Sequence, residues 1–421
     1  MEFAKKLTKK DELKPRFAHL CSLFDSDDNL IDEAIVIYFK NPHSYTGEDV
    51  VEFQTHGSSL IAELIIDEVI KLGARLASAG EFTKRAYLNS KIDISQAEAI
   101  SKLIVAKSKD AVKLLSKQLK GELGEFVTDI RDKLLEVLAF IEVNIDYAEE
   151  DLPPDLEEQI VKRLEDINTF LKSTLTSSEL REGMIEGFKI SIIGKPNVGK
   201  STILNKLLSF DRAIVSDIAG TTRDTIEESL RVGTHLVKVV DTAGIRESSE
   251  AIEKIGIDRS KQSAKESEII LAVFDTSRAL DAEDKKIIEL LKEFEDEKEI
   301  VLILNKTDIY HDSFDKSIFA SYKVLEFSKE KNIDEIVDAI KVILDKDSYE
   351  DEITLTSKRQ VEAVKKAYHD IDTALENIQI NELELFAYNI NDAIEAISSI
   401  TKSYDRDEIL DKMFSSFCLG K

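Results

Sequence analysis

The stretch Gly194-Lys195-Pro196-Asn197-Val198-Gly199-Lys200-Ser201 spaces two glycines, a lysine and a hydroxyl as G-x-x-x-x-G-K-S, the pattern of a phosphate-binding loop. An apolar run over 188–193 precedes it and a helical pattern begins near Thr202, so strand, loop and helix follow in the order the motif requires. Gly194 and Gly199 let the backbone curl until successive N–H groups point inward at phosphate oxygens. The helix N-terminus behind the loop adds a partial positive charge. Lys200 is expected to reach the β- and γ-phosphates, and the Ser201 hydroxyl to ligate Mg²⁺.

Further motifs decide which nucleotide the loop serves. Asn305-Lys306-Thr307-Asp308 follows the apolar run 300–304. A carboxylate at Asp308 accepts both N1–H and N2–H of guanine, which adenine does not offer, so the motif selects GTP. Asp241-Thr242-Ala243-Gly244 follows another apolar run; Asp241 is expected to orient a Mg²⁺-bound water and the Gly244 N–H to sense the γ-phosphate. Between the phosphate loop and Asp241 lies Gly220-Thr221-Thr222-Arg223-Asp224, where Thr222 is the candidate to close on Mg²⁺ when the γ-phosphate is present. Ser328 falls where a loop touching guanine O6 is expected, although Ser328-Lys329-Glu330 departs from the usual Ser-Ala-Lys. The nucleotide-binding set is therefore Asn197, Val198, Gly199, Lys200, Ser201 and Thr202, then Ser216, Asp217, Ile218, Ala219, Gly220, Thr221 and Thr222. Asp241, Thr242, Ala243, Gly244, Asn305, Lys306 and Asp308 complete it.

Hydrolysis needs a group to orient the attacking water. Many small GTPases place a Gln after this glycine, but here the residue is Ile245, which has no hydrogen-bonding side chain. Glu253, on the helical segment that follows, is the candidate base, weighed against an ordinary surface glutamate. No arginine finger is identifiable. The side-chain oxygen of Asn197 and backbone carbonyls of the loop 216–221 could instead hold a monovalent cation beside the phosphates.

These residues need elements to position them. The runs at 188–193, 236–241, 269–274 and 300–304 are apolar without alternation, as in strands buried on both faces of a mostly parallel α/β sheet. Residues 1 to about 90 read as a small α+β domain, with strands at 31–39 and 50–53 and a helix over 60–72. From Ser95 long amphipathic helices take over: one to about Lys120, capped at Ser95 with Glu98 at N3, one over 123–145, and one over 156–182 after Pro153-Pro154. The acidic stretch 146–155 reads as a solvated connection rather than a metal site. Helical stripes return after Asp351, and Asp405-Arg406-Asp407-Glu408 opens a last short helix. Such helices cannot bury their stripes alone; packing them on the helices of 95–182 makes the α/β domain an insertion in a discontinuous helical bundle.

A chain of 421 residues has room for two or three domains. The formal charge of -26 argues against a protein that coats nucleic acid or a membrane surface. Cys21 and Cys418, without paired spacing, point to a reducing, cytoplasmic setting and no zinc site. No stretch approaches the roughly 20 apolar residues of a membrane span.

With these residues in place the chain resembles the MnmE (TrmE) family, the GTPases of tRNA wobble-uridine modification. The likeness runs through Ser44-Tyr45-Thr46-Gly47-Glu48-Asp49 with Glu52, His56-Gly57, the stretch from Gly80 to Asn89, Gln96-Ala97-Glu98-Ala99-Ile100, Leu180-Arg181-Glu182-Gly183, the nucleotide motifs, and the terminal Cys418-Leu419-Gly420-Lys421. The resemblance implies a folate-binding-like N-terminal domain at 1–91, a helical domain in two pieces at 92–186 and 347–421, and a GTPase domain at 187–346. It implies homodimerisation and K⁺-dependent pairing of two GTPase domains. Asn197, Ser216, Ile218 and Thr221 would bind K⁺, Ser201 and Thr222 Mg²⁺, and Glu253 matches the family's catalytic glutamate. A tetrahydrofolate one-carbon derivative would touch Glu52, Lys91 and Lys421. An FAD-containing MnmG (GidA) partner, forming a heterotetramer, would act with the chain at C5 of uridine 34 in tRNA. Family members begin with a further strand segment ending in Arg-x-Ser-Gly, so the N-terminal domain is expected here as a shortened one, with an incomplete folate site. A ribosome-assembly GTPase acting as an RNA switch is the rival class. It usually carries a KH-like G-x-x-G clamp or a basic tail, and neither is found here. A GTP-dependent scaffold without hydrolysis is the third.

Overall fold

The computed structural model describes residues 1–146, 154–210, 228–240, 253–345, 353–379, 382–402 and 414. The acidic stretch after Asp146, the helix expected at Asp405–Glu408 and the terminal Cys418–Lys421 lie outside the described residues. The chain divides into two compact units, one of Met1–Ile104, Lys117–Asn168 and Glu362–Lys421, the other of Val105–Ser116 and Thr169–Val361.

In the first unit, helix α1 (Glu2–Thr8) is followed by strands β1 (His19–Phe24), β2 (Leu30–Phe39) and β3 (Val50–Gln54), an antiparallel sheet in the order β1-β2-β3. Alternation places Cys21, Leu23, Ala34, Val36 and Tyr38 on one face, buried with Ala4, Leu7 and Leu13 and with Ile65 of α2 (Ser59–Lys71). α1 and β1 are elements that the sequence reading missed: α1 is only seven residues long, and in β1 exposed Leu20 beside buried Cys21 and Leu23 hides the alternation. α3 (Glu81–Leu88) leads to α4 (Ile94–Val105). The cap of α4 is Asp93, not Ser95: Asp93 Oδ1 accepts the Gln96 N–H at 2.8 Å, and Gln96 Oε1 accepts the Asp93 N–H at 2.9 Å. Asp93-x-x-Gln96 is a capping box two residues earlier than expected.

The helix expected to continue to Lys120 is two helices, α4 and α5 (Lys109–Leu119). Ser108 caps the second, its Oγ accepting from Ala111 N–H at 3.0 Å and donating to the Met184 carbonyl at 3.0 Å. The break falls at the polar run Lys107-Ser108-Lys109-Asp110, a signal the sequence reading passed over. Helix α6 (Glu122–Asp146) buries Ile130, Leu134, Val137, Leu138 and Ile141, and α7 (Pro154–Glu186) follows. Near the chain end come α12 (Lys358–Gln379) and α13 (Leu383–Ser398), and α13 packs on α6 with Phe386, Ile390, Ala393 and Ile397 buried.

The second unit holds a six-stranded sheet in the order β5-β6-β4-β7-β8-β9. Its strands are β4 (Phe188–Ile193), β5 (Glu228–Val232), β6 (His235–Val240), β7 (Ile269–Asp275), β8 (Glu299–Asn305) and β9 (Lys323–Glu326). Only β5 runs antiparallel. The central strands are the apolar runs the sequence shows; β5 and β9, the edges, are short and polar and were not expected. Helices α8 (Lys200–Phe210), α9 (Glu253–Glu266), α10 (Ala282–Phe294) and α11 (Asp334–Asp345) complete the unit. One core holds Ile190, Ile192, Leu204, Leu207 and Val337, and the other Ile193, Ile270, Phe274, Leu291 and Leu302. From β4 the chain goes first to β6 and then to β7 on the opposite side. The carboxyl end of β4 is therefore the point where strand order reverses, where open α/β sheets hold ligands.

Candidate functional site

The loop 194–201 leaves the sheet at that reversal point. Gly194 has φ +151° and Gly199 φ +103°. A Cβ on Gly194 would come within 2.5 Å of the Val273 carbonyl oxygen, and one on Gly199 would collide with the Asn305 side-chain amide. Both positions need glycine for close approach as well as for backbone sign. Asn197, at φ +64°, stands exposed at the crest, while Val198 is buried beneath.

Lys200 opens α8. Its ammonium donates to the Gly194 and Lys195 carbonyls, both at 2.7 Å, so the side chain folds back over its own loop. Burial pushes the amine down to about 8. A phosphate placed there would supply the counter-charge that the carbonyls lack.

The base-recognition segment is tied to this loop by a buried contact: Asn305 Nδ2 donates to the Val198 carbonyl at 2.7 Å. Lys306, at φ +64°, donates to Asp275 Oδ2 at 2.6 Å. Burial opposes the Asp275 carboxylate, yet hydrogen bonds from Lys306 and Ser277 hold it below its ordinary range. The Thr276 hydroxyl and N–H both bond the Asn305 carbonyl, at 2.9 and 3.0 Å. Asp308 sits on a short 3-10 turn, Thr307–Ile309, with its carboxylate exposed. The loop 194–201 and the segment 305–308 are thus joined in one hydrogen-bonded block, a contact that motif spacing alone does not show.

Sequence reasoning missed three members of this block. Asp275 ends β7 much as Asp241 follows β6, a parallel that could have drawn attention to it. Lys195 pairs with Asp281 and, at 3.1 Å, with Glu283. Asp281 also caps α10 by accepting the N–H groups of Glu283 and Asp284, and the Lys195 ammonium, with these bonds, holds its carboxyl well below the usual range. Nothing in the spacing of Lys195 and Asp281 announces that pair; only the sheet brings them together.

Other expected site residues are not described. Ser216, Asp217, Ile218, Ala219, Gly220, Thr221, Thr222, Asp241, Thr242, Ala243, Gly244 and Ile245 lie outside the described residues, as does Lys421. Glu253 is the first residue of α9, with its side chain outside the description. Of the folate set, Glu52 lies exposed on β3 opposite Ile37. The stem of Lys91 packs on Gly47, where a Cβ would stand 2.9 Å from Lys91 Cε. Among the described residues no His, Cys, Asp or Glu trio is arranged to hold a metal ion, and no helix is long and apolar enough to cross a membrane.

Two family models match the chain: one described as MnmE helical domain over residues 94–418, and one described as GTP-binding protein TrmE N-terminus over residues 1–91. The N-terminal domain, expected above in a shortened form, is thus itself recognised. Full-length similarity extends to proteins named tRNA modification GTPase MnmE. That of Aliarcobacter butzleri is 56% identical over 421 residues, which are all of this chain and 94% of the relative. That of Nitratiruptor sp. is 54% identical and that of Sulfurimonas denitrificans 51%, each over the whole chain, covering 93% and 94% of the relatives.

Proposed function

The chain belongs to the MnmE family of tRNA modification GTPases and is a hydrolase acting on GTP; from that premise we propose that it couples GTP hydrolysis to modification of C5 of the wobble uridine, position 34, in tRNA. The observation that carries this reading is the block formed by the phosphate loop and the Asn305–Asp308 segment, locked by the bond from Asn305 to the Val198 carbonyl. In this reading it joins the donors for phosphate and the acceptor for guanine through one hydrogen-bonded frame.

In this reading the GTPase domain, 187–346, is inserted between two pieces of a helical domain, 92–186 and 347–421, and follows the N-terminal domain 1–91. The return of the chain to its first unit after Val361 supports that arrangement. Ser201 and Thr222 would hold Mg²⁺, which would supply positive charge to the phosphates. Asn197, Ser216, Ile218 and Thr221 hold K⁺; the exposed, left-handed Asn197 at the loop crest suits a ligand facing outward from the phosphates. Glu253 orients the attacking water, and its place at the start of α9 puts it just after the Asp241–Gly244 segment in the chain. The chain works as a homodimer in the cytoplasm with an MnmG-type, FAD-containing partner, together binding tRNA. A tetrahydrofolate one-carbon derivative engages Glu52, Lys91 and Lys421.

GTP turnover by the full chain, with Mg²⁺, in KCl and in NaCl tests the mechanism. Turnover should be faster in K⁺, and Glu253→Ala should abolish the K⁺-stimulated part while leaving GDP binding intact. Equal rates in the two salts remove the cation from the mechanism, and an unchanged Glu253→Ala rate removes the glutamate.

A further inference from the structure

Helix α8, behind the phosphate loop, carries a side chain that none of the roles above uses. The Lys206 ammonium donates to the main-chain carbonyl of Lys329 at 2.7 Å and to that of Lys331 at 2.6 Å, and lies 5.1 Å from the centroid of the Phe327 ring. These carbonyls belong to the loop 327–331, where the sequence departs from Ser-Ala-Lys. That loop is already tied to the base-recognition segment. Phe327 N–H donates to the Leu304 carbonyl at 2.8 Å, and the Phe327 carbonyl accepts from the Thr307 N–H at 3.3 Å and the Thr307 hydroxyl at 3.1 Å. Ser328 is buried, and its carbonyl accepts the Lys331 N–H at 3.2 Å.

Lys206 therefore closes a ring. It links α8 to the loop 327–331; Thr307 links that loop to the segment 305–308; Asn305 links the segment to Val198; and the phosphate loop runs back into α8. Bonds from a charged donor are the strong members of such a ring. A trans peptide holds its C=O and N–H on opposite sides of one plane. Fixing the carbonyls of Ser328, Lys329 and Lys331 therefore fixes the directions of the main-chain N–H groups between them.

We propose that Lys206 is a positioning residue for guanine recognition, holding the loop 327–331 so that its main-chain N–H groups face the O6 of a bound guanine nucleotide. The proposal rests on the guanine-nucleotide reading of this domain. Lys206 touches no nucleotide; it acts through the loop.

The test is equilibrium binding of nucleoside diphosphates to the full chain by competition with a fluorescent GDP analogue. GDP and inosine diphosphate both carry O6, whereas 2,6-diaminopurine riboside diphosphate has an amino group there. Lys206→Met keeps the stem over Phe327 and removes the charged donor, while Lys206→Arg keeps a donor. The Met variant should weaken GDP and inosine diphosphate alike by roughly tenfold, the worth of one charged hydrogen bond, and leave the diaminopurine nucleotide unchanged. The Arg variant should restore most of the preference. A Met variant with the wild-type ratio of GDP to diaminopurine affinity overturns the role of Lys206, even if all its affinities or its melting temperature fall together. A wild-type chain that does not bind GDP overturns the guanine reading itself, and the proposal with it.

Discussion

On the proposed reading nucleotide choice turns on Asp308, and its exposure on the 3-10 turn leaves the carboxylate open to a base. Guanine presents N1–H and N2–H to it; xanthine presents a carbonyl at C2. Asp308→Asn exchanges an acceptor for an amide that can donate to that carbonyl. The variant is expected to lose GTP affinity by on the order of a hundredfold, because a charged hydrogen-bond pair is left unmade, and to gain affinity for xanthosine triphosphate. Competition binding of the two triphosphates measures both changes; parallel loss of both would mean that Asp308 holds the loop rather than the base. The residues around it were unevenly legible. Gly194, Gly199, Lys200 and Asp308 announce themselves by spacing, since each is demanded by local backbone geometry or by one ligand atom. Lys195, Asp275, Asp281 and Lys206 work through partners 31 to 125 positions away, and no local pattern encodes such a pairing.

Among the elements, α12 and α13 carry an uncompensated charge. Asp370 of α12 has its Oδ2 buried without a hydrogen-bond partner among the described residues, and Lys366 reaches it only at 3.9 Å. Burial raises the Asp370 carboxyl above its ordinary value, and Asp392 on α13 raises it further. An acid raised in the folded state is favoured there in its protonated form, so it costs stability once pH passes its unfolded value of about 4, and costs nothing below it. Asp370→Asn should therefore raise the melting temperature near pH 7, with the gain fading as pH falls toward about 4 and absent below it. A gain equal at pH 4 and pH 7 would show that charge is not the cause. At this scale α4 and α5 hold the clearest departure from expectation. Apolar stripes flank the polar run Lys107-Ser108-Lys109-Asp110, and there the Ser108 hydroxyl caps the second helix with partners in both Ala111 and Met184. A side-chain cap with a tertiary partner outcompetes one more turn of helix.

For the whole molecule, the division into two units makes a thermal prediction. Scanning calorimetry should resolve two transitions. GDP with Mg²⁺ at a hundredfold excess over its dissociation constant should stabilise one of them by about 2.7 kcal/mol and leave the other in place. Both transitions moving together would mean that the units unfold as one.

What the amino-acid sequence determined by itself were the features whose cause is local. Buried parallel strands read as unbroken apolar runs, the phosphate loop as glycines at fixed spacing, and the helices as stripes of period 3.6, so that fold class and family were open to inspection. The tertiary structure alone decided the antiparallel β5 and the β9 edge, and the contacts that make phosphate loop and base loop one block. Edge strands are short and polar and carry little periodic signal. Contacts such as Lys206 to the carbonyls of Lys329 and Lys331 exist only because parallel strands β4 and β8, far apart in the chain, bring their loops to the same end of the sheet.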